Sequence, residues 1–80
     1  MRAAAPRRPL NPFLLRRVES SDQKKHALAS IAGWPYYTTF FDTLHSEKVR
    51  ATPLTVTRLE RLADAVGFPR DEIFLDEVAS

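Results

Sequence analysis

The chain has 80 residues, no cysteine and two glycines, with 44% hydrophobic residues, 28% charged residues and a formal net charge of +2. This is the balance of one small globular domain near the lower limit for folding without a staple. It excludes disulfides, thiolate metal sites and a phosphate-cradling glycine loop, and no apolar run reaches the roughly eighteen residues of a membrane span.

Charge is unevenly placed. Residues 1–50 carry nine Lys or Arg against four Asp or Glu, whereas residues 51–80 carry three against six. A basic half beside an acidic half points to a polyanion on one side and to solvent or a protein on the other.

In chain order, residues 1–10 contain three arginines and two prolines without periodicity, and are expected to form a flexible basic arm ahead of a domain at 11–80. Asn11-Pro12 is a helix start, an N-cap followed by a proline at the first helical position. Phe13, Leu14, Arg17 and Val18 then lie on one side of a short helix that ends by Ser20-Ser21-Asp22. The same cluster is expected to cap a second helix, with Ala27, Leu28, Ile31 and Ala32 at helical spacing and Gly33 closing it. Lys24 and Lys25 fall in its first turn, the unfavourable end for cations unless a phosphate lies nearby. Trp34-Pro35 turns the chain into a third helix, to about Ser46, with Tyr37, Phe41 and Leu44 inward. Its threonines and aromatics make it a mediocre helix by propensity.

A polar loop is expected from Glu47 to Thr52. A fourth helix follows, with Thr55 as N-cap, Leu54 stapled to Leu59, a stripe of Leu59, Leu62, Ala63 and Val66, and Gly67 at its end. A fifth begins near Pro69-Arg70-Asp71-Glu72 and buries some of Ile73, Phe74, Leu75 and Val78. The expected fold is therefore all-α: five short helices, no strand and a flexible basic arm.

Ala29 followed by Gly33, an aromatic-rich helix, the run Pro53 to Phe68 and then Asp71-Glu72-Ile73-Phe74 together resemble the lambda-repressor/Cro-like helix-turn-helix family, also called the xenobiotic-response-element type. The resemblance spans about residues 12–75 and is best over the fourth and fifth helices. Two features depart from it. Lys25 stands where the family usually has glutamine, and one or two extra residues follow Gly33. The resemblance implies a compact helix-turn-helix domain that lays its third helix in the major groove of double-stranded DNA.

On that helix, at about residues 36–46, the base-reading candidates are Thr38, Thr39, Asp42, Thr43 and Ser46, with Phe40 a further apolar contact if exposed. Lys24, Lys25, Tyr36, Lys48 and Arg50 are the phosphate-binding candidates, with Arg16 or Arg17 as additions. Arg7 and Arg8 are candidates for an adjacent minor groove. About five such contacts imply a log–log salt slope of roughly −4 to −5.

No catalytic set stands out. His26 and His45 lack metal-ligand spacing, and Ser46 beside His45 does not make a triad. No enzyme activity, cofactor, metal, small-molecule ligand or membrane partner is expected. The expectation is a sequence-specific transcriptional regulator, a phage-type or bacterial repressor in the cytoplasm of a bacterial cell or phage-infected host. Its oligomeric state is left open between a homodimer through Ile73, Phe74 and Leu75 and a monomer. The alternative is a protein-interaction module or antitoxin-like regulator on the same scaffold, using Trp34, Tyr36, Tyr37, Phe40 and Phe41. Exposure of several of these aromatics favours the alternative, and burial favours DNA.

Overall fold

Asn11 opens the first helix in the computed structural model, which describes residues 6–78. Its side-chain oxygen accepts from the Phe13 N–H at 3.1 Å, while its amide nitrogen donates to the Glu72 carbonyl at 2.8 Å. One buried side chain thus caps a helix and ties it to the far end of the chain. Helix α1, Pro12–Glu19, then buries Leu14 and Val18, a spacing of one turn.

Helix α2, Lys25–Ala32, buries Leu28, Ala29 and Ala32 and ends at Gly33, whose φ of 98° is the left-handed conformation that favours glycine. After four linking residues comes α3, Tyr37–His45. Helix α4, Pro53–Val66, is the longest. Thr52 caps it by accepting from the Thr55 N–H at 3.2 Å, Pro53 fills its first position, and Gly67 at φ 72° ends it. Its buried Leu59, Leu62 and Ala63 meet α2 most extensively, and α1 also packs on it. Leu14, Leu28, Phe40, Leu59, Leu62, Ile73 and Phe74 form the centre of the core.

Two strands complete the fold. Strand β1, Arg7–Pro9, pairs antiparallel with β2, Lys48–Arg50, placing Arg7 opposite Arg50, Arg8 opposite Val49 and Pro9 opposite Lys48. The next residue, Leu10, bridges to Phe74 on the other side. The N-terminal segment is therefore held between the stretch after α3 and the C-terminal stretch: Ala51 N–H donates to the Pro6 carbonyl, Leu10 N–H to Glu47, and Asn11 N–H to Ile73.

The five-helix, strandless architecture with a free arm is thereby corrected. Four helices of two turns or more are present among the described residues. The expected fifth is divided into a 3-10 turn, Arg70–Glu72, and one α-helical turn, Leu75–Val78. The stretch at residues 7–9 is a paired strand, and residues 1–5 of the expected arm lie outside the described residues. Charged and proline-rich triplets carry little strand propensity, and their partners are distant in the chain.

Several local expectations also shift. Ser21 Oγ accepts from Gln23 N–H, so the Ser20–Asp22 cluster forms a turn while Lys24 takes the α2 cap position without a side-chain bond. In α2, Ala27 and Ile31 face outward while Ala29 is buried. Thr52 replaces Thr55 as the α4 cap, one turn earlier, which leaves Leu54 exposed and unable to act as the staple. Among the described residues, no helix is long and apolar enough to cross a membrane.

Candidate nucleic-acid interface

Phe40 and Leu44 are the residues of α3 that enter the core, at 1% and 4% exposure. Trp34, also buried, stands edge-on to Phe40 with centroids 5.2 Å apart, and this contact sets the rotation of the helix. The expected inward pair of Phe41 and Leu44 is therefore corrected: Phe41 is 42% exposed, and Phe40 is unavailable as an outward contact. A one-turn spacing, rather than three residues, aligns the buried pair.

With that rotation, Thr38, Thr39, Asp42 and Ser46 are exposed and Thr43 is half-buried. Thr43 Oγ1 donates to the Thr39 carbonyl at 2.8 Å and Ser46 Oγ donates to the Asp42 carbonyl at 2.7 Å. Their hydroxyl protons are thus engaged within the helix, and their lone pairs remain outward. Together with the Asp42 carboxylate, they make this part of α3 rich in acceptors.

A groove of about 350 Å³ runs beside this face. Thr39, Asp42 and Thr43 of α3 and Ser46 at its C-terminal cap line it with Arg7 of β1, Lys48 and Arg50 of β2, and Thr55 in the first turn of α4. Four of the five base-reading candidates and both post-helix cations therefore share one depression. It holds three cations against one carboxylate, and Asp42 forms no ion pair with them among the described residues.

The other cations lie at the opposite end of α3. His26 in the first turn of α2 stacks on Tyr37 in the first turn of α3, with ring centroids 4.0 Å apart. Exposed Lys24 and Lys25 precede His26 directly, and Tyr36, 70% exposed, sits at the α3 cap position without a side-chain cap bond. Basic groups thus stand near both ends of a nine-residue helix, about 13.5 Å long by its rise per residue.

Arg8 does not accompany Arg7. Successive strand residues face opposite ways, and Arg8 makes two hydrogen bonds to Asp76, at 2.9 and 2.8 Å, with its guanidinium 4.1 Å from the centre of the Phe74 ring. Arg8, expected beside Arg7 in a minor-groove arm, is thus held against Asp76 and Phe74. Arg17 donates to the Gly67 carbonyl at 3.1 Å and approaches that of Val66, so it complements the negative end of α4. Arg16 lies over the Phe13 ring.

Sequence reasoning missed the juxtaposition of Arg7 with Arg50. The available signal was the alternation Lys48-Val49-Arg50, an apolar residue between two cations, which is the pattern of a half-buried strand. It also missed the ring stack of Phe41 on His45, 4.0 Å between centroids, which continues the His26–Tyr37 contact along the other flank of α3.

A second groove, about 340 Å³ and mainly apolar, lies among Pro9, Leu10, Pro12, Leu15, Leu44 and Leu75. The expected dimer surface changes accordingly: Ile73 and Phe74 are buried in the core of their own chain, and only Leu75 of the three is exposed. Away from both grooves, Arg70 bonds to Asp64 and holds that exposed carboxyl below its usual pKa. Among the described residues, no group of three or more His, Cys, Asp or Glu side chains is placed to hold a metal ion. No family model matches the chain, and neither a curated protein nor a solved structure does.

Proposed function

We propose that this protein is a sequence-specific, double-stranded-DNA-binding transcriptional regulator of the helix-turn-helix type, a phage-type or bacterial repressor acting in the cytoplasm. The carrying observation is that α3 and its C-terminal cap present a polar face, Thr38, Thr39, Asp42, Thr43 and Ser46, with cations near both ends that form no ion pair among the described residues. A major groove about 12 Å wide admits one helix, and the phosphates of its two walls then meet Lys24 and Lys25 on one side and Lys48 and Arg50 on the other. Direct contacts favour base amino groups, adenine N6 and cytosine N4, because the outward atoms of Asp42, Thr43 and Ser46 are acceptors.

Selection from a random duplex-DNA pool at two salt concentrations tests this. An enriched motif, with affinity falling steeply as salt rises, supports it; salt-sensitive binding without a motif makes the protein a non-specific binder. Absence of binding at low salt transfers the function to a protein partner. That second reading has one specific support, the apolar groove bordered by Leu15, Leu44 and Leu75. The five aromatics divide: Trp34 and Phe40 are buried, Tyr37 is half-buried, and Tyr36 and Phe41 are exposed.

A further inference from the structure

Arg7 and Arg50 are directly opposed across the β1–β2 ribbon, and both line the groove beside α3. Like charges in register on one face of a strand pair repel and destabilise the pairing. Lys48, two residues from Arg50 and therefore on the same face, adds a third positive charge. None of the three has an ion-pair partner among the described residues. In contrast, the residues facing the other way are fully engaged: Val49 is buried, and Arg8 is bonded to Asp76 across the Phe74 ring. The ribbon is anchored on one face and holds uncompensated positive charge on the other.

We infer that the forward face of this ribbon, Arg7, Lys48 and Arg50, is a phosphodiester clamp that grips one DNA backbone strand beside α3. The inference rests on the DNA reading of α3 and deepens it: Arg7 becomes a backbone contact made from a strand, and Arg8 becomes the anchor that aims it. Arginine suits the task because its planar fork donates two parallel hydrogen bonds to phosphate oxygens. Thr55 brings the positive end of the α4 dipole to the same depression, a secondary attraction for an anion. Bound phosphate removes the repulsion between Arg7 and Arg50, so the clamp is less stable empty than filled.

This arrangement separates a binding role from a structural one. In Arg7→Gln, Arg50→Gln and the double variant, duplex affinity is measured by fluorescence anisotropy over a salt series, and the free protein is melted at low salt. The clamp predicts weaker binding to every sequence alike, with the log–log salt slope shallower by about one unit for each arginine removed. It also predicts that the free double variant melts no lower than the parent at low salt, because a like-charge contact is gone. Arg70→Gln, the same charge change beyond the other end of α4, leaves the slope unaltered.

Three outcomes overturn the clamp while leaving DNA reading by α3 intact. They are an unchanged slope in the double variant, a lower melting temperature in that variant, or an equal flattening by Arg70→Gln. The last would mean that only net charge matters. Failure of the unmodified protein to bind any duplex overturns the clamp and the DNA reading together. Inorganic phosphate, added alone, distinguishes a free-anion site: protection from melting by millimolar phosphate without duplex binding assigns the groove to small anions and overturns the backbone clamp.

Discussion

Helices α3 and α4 are held in place by opposite means. In α4 the local signals agree with the packing: Thr52 caps its start, Pro53 fits its first position, Gly67 ends it, and Arg17 donates to its last carbonyls. Its apolar stripe is buried at Leu59, Leu62 and Ala63 and half-buried at Val66. In α3 no side chain caps the start, and Thr38, Thr39 and Thr43 add β-branched residues of low helix propensity. Thr43 and Ser46 bond back to carbonyls of their own helix, and only Phe40 and Leu44 are buried. Helix α4 is stabilised by its sequence and its contacts together, whereas α3 depends on two anchors. A helix with two buried side chains and no cap has little packing of its own to resist local opening.

The sharpest way to break the contrast is to remove the anchor. Phe40→Ala should destabilise the protein by about 3–5 kcal/mol in urea unfolding. Hydrogen exchange should then show α3 amides unprotected while α4 amides keep the protection of the remaining fold. Equal loss in both helices would show that α3 is no more dependent on its anchor than α4. Gly67→Ala tests the C-terminal stop of α4: at φ 72° a side chain is strained, and a loss of about 1–2 kcal/mol is expected.

Caps sharpen the comparison from the other end. Thr52→Ala should cost about 1 kcal/mol, and Tyr36→Asp, which supplies the missing cap to α3, should return a gain of about the same size. Stability measured by denaturant midpoint decides both. Smaller still, Thr38→Ala, Thr39→Ala and Asp42→Ala should each change stability by less than about 0.5 kcal/mol. The same changes should alter the preferred DNA sequence in the pool selection, and unchanged preference in all three would remove α3 as the reading element.

Acid provides the smallest effect. Arg70 lowers the pKa of Asp64, so the pair's contribution to stability is present above the ordinary aspartate value and is lost as pH falls through the lowered folded value. Asp64→Asn should remove that increment from the acid-unfolding curve. Since the pair is exposed, the change is expected to be slight.

The same contrast explains what could be seen in the sequence. Elements with coincident signals were legible: Asn11-Pro12 marked the start of α1, Gly33 and Gly67 marked helix ends, and Leu59, Leu62 and Ala63 marked the buried face of α4. The rotation of α3 was not, because adjacent Phe40 and Phe41 offer two apolar registers and the choice is made by Trp34 from outside the helix. Nor was the ribbon, since its pairing joins Arg7 to Arg50 across the whole of α1, α2 and α3. The candidate site was legible as a set of residue types, Thr39, Asp42, Thr43, Ser46, Lys48 and Arg50. Its inclusion of Arg7 and exclusion of Arg8 depended on strand alternation that prolines obscured.

The position of β1 has a consequence for how the molecule is made. Its residues are synthesised well before the partners that hold them, Val49 and Phe74 and the Asp76 carboxylate. During translation the helices can collect around Leu28 and Leu59 while the first segment waits without a place. The basic face beside α3 is therefore anchored on both sides only after residue 76 has emerged, and a chain stalled before that point lacks the finished surface.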